Sequence, residues 1–205
     1  MRNQYFYHED ARYLKMTETC IQKAVDEGKI TKDEAAIIEQ YLSEKDAAGI
    51  CASRHWKIGN HLVLLRDQVT EPYNTCQTAD ILAGFVRIKS ARRNPRSQER
   101  ALIEKGLLDP ETLPKLTQNS INDKQRILKA FSLWLCESGL NPNLDARKLQ
   151  KMKPVTPTAI TVQKEDLLTP AELDAFFAEC RNERDRALFH LMWEGGVRCS
   201  DIGNM

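Results

Sequence analysis

The stretch Thr31-Lys-Asp-Glu-Ala-Ala-Ile-Ile-Glu-Gln-Tyr-Leu42 decides the fold class of this 205-residue chain. It opens with a capping box, in which the threonine hydroxyl accepts the amide hydrogen of Glu34 while the glutamate reaches back to the backbone of Thr31. Apolar residues then recur at helical spacing. They are Ala35, Ile38, Tyr41 and Leu42. The same two signals recur along the chain, and no convincing alternating strand pattern accompanies them. The sequence therefore predicts an all-α fold.

Further helices are predicted on both sides of this stretch. One runs from about Ala11 to Glu27, one follows a cap at Ser53, one spans Thr78 to Lys89, and one spans Ser120 to Glu137. Each carries an apolar face that we expect to be buried. The residues predicted to point inward are Ile58, Leu62, Leu65 and Val69 in the helix after Ser53, Ala79, Leu82, Phe85 and Val86 in the next, and Ile127, Phe131, Trp134 and Leu135 in the last.

A proline-rich segment separates these helices from a second group. Residues 141–165 contain Pro142, Pro154 and Pro157, and we expect an extended conformation there. Thr169-Pro-Ala-Glu172 then combines a threonine cap, a proline in the first turn and a glutamate at the third position, which predicts a new helix. A second helix begins near Glu183. The predicted inward residues are Leu173, Phe176, Phe177 and Cys180, then Ala187, Leu188, Leu191 and Met192.

The net charge of +1 conceals a basic segment between two acidic ones. Residues 47–153 carry 18 Lys and Arg against 10 Asp and Glu, a net charge of +8, whereas residues 1–46 carry −3 and residues 154–205 carry −4. A segment of one sign favours a partner of the opposite sign, so this pattern indicates a polyanion ligand. The alternative is a set of solvated basic faces without a ligand.

Composition argues against several classes of protein. The sequence has no run of about 18 apolar residues, so we predict no membrane span. Acidic residues come early and no apolar signal-peptide core follows them. The six cysteines are scattered without a Cys-x-x-Cys motif, and no histidine stands at metal-ligand spacing. We therefore expect a cytoplasmic protein with reduced thiols, no metal, no cofactor, no membrane partner and no small-molecule substrate.

Three tracts after the proline-rich segment resemble a known family. They read Leu167-Leu-Thr-Pro-Ala-Glu-Leu-Asp174, Arg184-Asp-Arg-Ala-Leu188 and Glu194-Gly-Gly-Val-Arg-Cys-Ser-Asp-Ile202. In this order they are similar to the opening of the catalytic domain of tyrosine-type site-specific recombinases, the phage integrase family. Two positions depart from the family pattern, because Gly195 replaces a threonine and Asp201 replaces a glutamate.

The helices that end in Lys129-Ala-Phe-Ser-Leu-Trp-Leu135 are similar to the core-binding domain of the same family, a small SAM-like helical bundle. The resemblance implies three parts. They are a SAM-like core-binding domain (31–150), an interdomain linker (151–165) and a truncated start of the catalytic domain (166–205). Residues 1–30 have no counterpart in the family, and we predict an N-terminal helical extension there.

The resemblance also implies a chemistry for the last part. In this family a tyrosine attacks a DNA phosphate, and arginines stabilise the negative charge that develops on the phosphate oxygens. Arg198 matches the first of these arginines, and Asp201 matches an acid that orients it. The alternative is a solvated arginine after a glycine cap, with Asp201 as a helix-start acid. Every tyrosine precedes Arg198, so we expect this chain not to cleave DNA alone. The tyrosines are Tyr5, Tyr7, Tyr13, Tyr41 and Tyr73.

Double-stranded DNA is the partner that the resemblance implies, and other recombinase protomers are a second. Two alternatives stay open: a natural integrase remnant that regulates by binding DNA, and a helical protein–protein module with no role on DNA. The residues expected to contact DNA are Arg54, Lys57, Arg87, Lys89, Arg92, Arg93, Arg96, Arg100, Lys124, Arg126, Lys129, Arg147, Lys148, Lys151 and Lys153.

Overall fold

The computed structural model describes residues 4–154, 167–197 and 199–202, with side chains from residue 10 onward except at residues 199 and 200. Every regular element in these ranges is a helix, which confirms the all-α prediction. None of the described helices is both long enough and apolar enough to cross a membrane. The chain divides near residue 157 into two compact units, called here the first and the second unit.

The first unit contains seven described α-helices, and the second contains three. Those of the first unit are α1 (Gln4–Asp26), α2 (Lys32–Ala47), α3 (Ala52–Leu65), α4 (Thr78–Ser90), α5 (Ser97–Glu104), α6 (Gln118–Glu137) and α7 (Ala146–Gln150). Those of the second are α8 (Pro170–Ala178), α9 (Glu183–Gly195) and α10 (Cys199–Ile202).

Two of the three predicted helix caps are confirmed. The amide of Glu34 donates to the Thr31 hydroxyl at 3.1 Å, and the amide of Thr31 donates to the Glu34 carboxylate at 2.9 Å. Thr169 and Glu172 form the same box in the second unit. The prediction that Ser53 caps α3 is wrong. The carbonyl of Cys51 already accepts the amide of His55 at 3.0 Å, so the helix begins earlier and Ser53 lies inside it.

Helix α3 lies at the centre of the first unit, where α1, α2 and α6 all pack against it. The closest approach is at Gly59. A β-carbon there would stand 2.8 Å from Cγ2 of Thr17 in α1 and 3.2 Å from Cδ1 of Leu42 in α2. The absence of a side chain at this position therefore allows three helices to meet.

The core of the first unit is built around aromatic residues of α2 and α6. The rings of Tyr41 and Tyr73 each lie 5.1 Å from the ring of Phe131, and both meet it edge to face. Trp134 closes the cluster, and its Nε1 donates to the Glu44 carboxylate at 2.6 Å. The predicted inward residues of α6 are confirmed, since all of them are buried.

Helix α4 presents a different face to the core from the one predicted. Ile81 and Ile88 are fully buried and Phe85 nearly so, whereas Leu82 is 38% exposed and Val86 is 65% exposed. Gly84 explains the rotation, because a β-carbon there would meet the Gln68 carbonyl oxygen at 3.0 Å. The inward prediction is therefore wrong at three positions. They are Ala79, Leu82 and Val86.

The segment that begins at Asn141 is not extended as predicted. Asn141 is fully buried, and its Nδ2 donates to the carbonyls of Tyr73 and Cys76 at 2.9 Å each. The short helix α7 follows, capped by Asp145 and anchored by the buried Leu149. The rest of the predicted linker, from residue 155 onward, lies outside the described residues.

The second unit pairs α8 with α9 through aromatic contacts. The rings of Phe176 and Phe189 meet edge to face at 5.0 Å, and Phe177 stacks on His190 at 3.8 Å. No residue of this unit is fully buried in the described ranges. The apolar faces of α8 and α9 are not buried as predicted, since Phe176 is 43% exposed and Leu191 is 42% exposed.

Candidate nucleic-acid interface

The seam between α3 and α6 brings together basic residues from two parts of the sequence. Nζ of Lys57 in α3 forms an ion pair with Oδ2 of Asp123 in α6, and both side chains are about one-third exposed. The hydrogen bond from Lys57 lowers the pKa of Asp123. Lys124, the next residue of α6, is half-buried, and burial lowers its pKa.

Two exposed arginines flank the ion pair. Arg54 lies one turn before Lys57 in α3, and Arg126 lies one turn after Asp123 in α6, so each shares a helix face with one partner of the pair. Neither guanidinium makes a hydrogen bond or ion pair within the described residues. Both groups are therefore available to an anion from outside the chain.

Lys129 lies one turn after Arg126 in α6 and contacts the end of α7. Its Nζ donates to the carbonyl oxygens of Gln150 and Met152 at 2.8 and 2.6 Å, which satisfies the C-terminal end of α7. This contact holds the exposed Lys151 and Lys153 beside α6. We call the surface formed by Arg54, Lys57, Arg126 and Lys129 the α3–α6 face.

Helix α7 adds two more of the predicted basic residues. Oδ1 of Asp145 accepts the amides of Arg147 and Lys148 at 2.9 and 3.2 Å. The Lys148 ammonium lies 3.9 Å from the same carboxylate, a distance at which an exposed pair contributes little. Both side chains are exposed.

The arginine cluster between Arg87 and Arg100, the densest basic patch of the sequence, is largely bound to its own chain. Nε of Arg87 donates to the Gln68 carbonyl at 2.8 Å. Nε of Arg92 lies 3.1 Å from the carboxylate of Glu111, and its Nη1 donates to the Leu113 carbonyl at 2.6 Å. These two guanidinium groups bind the loop segments around Gln68 and Leu113 in the first unit.

Arg93 and Glu99 form a two-point ion pair, with Nη1 and Nη2 of Arg93 2.7 and 2.5 Å from the two carboxylate oxygens. Nε of Arg100 donates to the Pro95 carbonyl at 3.2 Å. The side chains of Lys89 and Arg96 are exposed and make no ion pair with the described residues. Acids therefore neutralise two of the six positive charges of the cluster, those of Arg92 and Arg93, while Arg87 and Arg100 are held by neutral carbonyls.

The structure describes only one of the two residues, Arg198 and Asp201, that the resemblance assigns to the phosphate clamp. Arg198 lies outside the described residues. Asp201 lies in α10, and its side chain is exposed. Among the described residues, no three His, Cys, Asp or Glu side chains are grouped to hold a metal ion.

Comparison with known proteins finds no matching family model, no matching curated protein and no matching solved structure. The resemblance to the recombinase family thus depends on the quoted sequence tracts alone.

Proposed function

We propose that this chain is the DNA-binding portion of a tyrosine-type site-specific recombinase. The first unit acts as a SAM-like core-binding domain, and residues 166–205 open the catalytic domain. The ordered tracts between Leu167 and Ile202 support the family. The observation that carries DNA binding is the α3–α6 face, where Arg54 and Arg126 are exposed and have no partner in the described chain.

The chemistry of this face suits a phosphate backbone. Guanidinium groups bind phosphate oxygens through two parallel N–H donors, and neutralising phosphates releases counterions from the duplex. Asp123 is the acid on this side of α6, and Lys57 neutralises it. The remaining charges of the face are positive, so the face attracts DNA through charge and carries little sequence information.

The resemblance assigns Arg198 to the phosphate clamp and Asp201 to orienting it. Within these 205 residues no tyrosine matches the family nucleophile, and Tyr41 and Tyr73 are buried in the core. Burial raises the pKa of Tyr41 to about 12, which makes it a still poorer nucleophile. We therefore expect no covalent protein–DNA adduct on a nicked suicide substrate, as judged by a denaturing gel.

DNA binding is tested with a fluorescein-labelled duplex whose anisotropy is measured over a series of salt concentrations. The logarithm of the affinity should fall linearly with the logarithm of the salt concentration, by about 0.9 per phosphate contact. The double substitution Arg54→Gln and Arg126→Gln should reduce this slope by about 2, because it removes two contacts.

The matched control is Arg92→Gln with Arg93→Gln, which removes two arginines that already bind Glu111 and Glu99. This control should leave the slope nearly unchanged. A larger loss in the control than in the α3–α6 variant would move the interface to the arginine cluster. No salt-dependent binding at low ionic strength would favour the protein–protein module instead.

A further inference from the structure

A groove of about 700 Å³ runs between α1 and α3. Met16 and Cys20 of α1 and Trp56 of α3 contribute apolar surface to it. The Trp56 ring leans on Tyr13, with ring centroids 6.3 Å apart at 42°. Methionine and tryptophan together make a floor that adapts to inserted apolar side chains.

The rim of this groove is positively charged. Arg12, Lys15 and Lys23 line it from α1, and all three are exposed. Arg12 and Lys15 make no hydrogen bond or ion pair among the described side chains. Lys23 lies 3.5 Å from Glu27, but both groups are largely in solvent. None of the described residues that line the groove is acidic, so the charges of Arg12 and Lys15 are uncompensated there.

We propose that the groove between α1 and α3 binds an acidic amphipathic helix of a partner protein. A helix laid in a groove inserts apolar residues from one face, and its flanking acids then meet the cationic rim. Duplex DNA fits this groove less well, because phosphates gain nothing from an apolar floor. The other flank of α1, toward α2, is by contrast acidic through Glu18, Glu39 and Asp46, and would repel phosphates.

The test uses a fluorescein-labelled synthetic peptide of about 18 residues, with Leu and Phe at helical spacing on one face and Glu at the other positions. Titrated into the full ¹⁵N-labelled chain, it should move the indole N–H resonance of Trp56. The indole of Trp134 should not move, since it donates to Glu44 away from the groove.

Anisotropy of the same peptide measures its affinity. Arg12→Ser with Lys15→Ser should weaken binding about fivefold at low salt, as expected for two exposed ion pairs. The control Lys32→Ser with Lys105→Ser removes two exposed charges elsewhere and should leave affinity unchanged. A peptide with Lys in place of Glu should not bind.

Absence of peptide binding, or equal affinity for the two double variants, would overturn the proposal. Duplex DNA that shifts the Trp56 indole and displaces the peptide would assign the groove to nucleic acid and also overturn it. Peptide binding that persists when Arg54→Gln and Arg126→Gln reduce the salt dependence of DNA binding would support it, and would show that this groove and the α3–α6 face act independently.

Discussion

Glu34 and Arg66 form an ion pair inside the first unit, with Oε1 of Glu34 2.7 Å from Nε of Arg66. Glu34 is fully buried, and the Arg66 side chain is 15% exposed. The same carboxylate accepts the amides of Tyr73 at 3.0 Å and of Thr31 at 2.9 Å. One side chain therefore joins the start of α2, the end of α3 and the loop that precedes α4.

Substituting Glu34→Gln removes the charge that faces Arg66 and leaves a guanidinium with little access to water. We expect the free energy of unfolding to fall by about 3 kcal/mol, as when one partner of a buried ion pair is removed. Urea denaturation followed by tryptophan fluorescence measures it. Glu39→Gln, on the exposed side of α2, is the control and should change stability by less than about 0.5 kcal/mol. Equal losses in the two variants would contradict a structural role for the pair.

Gly59→Ala tests the crossing of α1, α2 and α3. Alanine would stabilise an isolated helix by about 1 kcal/mol relative to glycine. Here its β-carbon would meet Cγ2 of Thr17 at 2.8 Å, so we expect a net destabilisation of about 1–2 kcal/mol. Thr17→Ser removes that methyl group and keeps the hydroxyl that donates to the Tyr13 carbonyl at 3.1 Å.

The double variant of Gly59→Ala and Thr17→Ser should therefore recover most of the loss. Thermal unfolding of the four proteins of this mutant cycle gives the coupling energy directly. Purely additive effects would show that the two side chains do not compete for the same space.

Local signals in the sequence were enough to predict the helices with strong caps and a single apolar face. The helices that begin at the capping boxes of Thr31 and Thr169, and the buried face of α6, could be predicted in this way. The buried face of α4 could not, because this helix has apolar residues on two sides. Which side is buried depends on the close approach of Gly84 to the Gln68 carbonyl, a long-range contact that no local pattern contains.

The candidate interface was predictable in composition but not in geometry. The sequence shows that Arg87–Arg100 is the densest basic patch, yet it cannot show that Glu99 and Glu111 pair with Arg93 and Arg92. No binding role is predicted for residues 1–30. Arg12, Lys15 and Lys23 nevertheless share one face of a predicted helix with Met16 and Cys20, and this mixture of basic and apolar residues is the sequence pattern that indicates the groove between α1 and α3.

The Arg93–Glu99 pair predicts an acid-sensitive start of α5. Hydrogen bonds from Arg93 and from the Arg96 amide lower the pKa of Glu99 from 4.5 to about 2. Because the pKa of Glu99 is lower in the folded state, the pair contributes its full stabilisation of α5 above about pH 4.5. This stabilisation is lost as the pH falls toward 2. The amide resonance of Arg96 should therefore titrate with a midpoint near pH 2.

Arg93→Gln should raise this midpoint toward 4.5, because the hydrogen bond from Arg93, the largest cause of the lowered pKa, is gone. Arg100→Gln is the control, since within the described residues that side chain binds only the Pro95 carbonyl, and it should leave the midpoint in place. A midpoint near 4.5 in the unsubstituted protein would show that the pair does not persist in solution.

His61, at the seam between α3 and α6, predicts a second pH dependence at milder acidity. Burial, together with the positive charges of Lys124 and Lys57, lowers its pKa from 6.5 to about 4. The unfolded chain therefore takes up this proton near pH 6.5, whereas the folded chain resists it until about pH 4. Stability from this group is fully present above pH 6.5 and declines as the pH falls from 6.5 to about 4. The decline should be on the order of 2 kcal/mol.

His61→Gln should remove that part of the pH dependence, because glutamine does not titrate, so the slope of unfolding free energy against pH should flatten between these limits. Lys124→Gln gives an independent check: removing the neighbouring charge should raise the pKa of His61, seen in its ring-proton resonances, and soften the decline. Urea denaturation at a series of pH values measures both variants. Identical slopes for His61→Gln and the unsubstituted protein would mean that the imidazole is hydrated in solution, and that the α3–α6 seam is more open than its packing indicates.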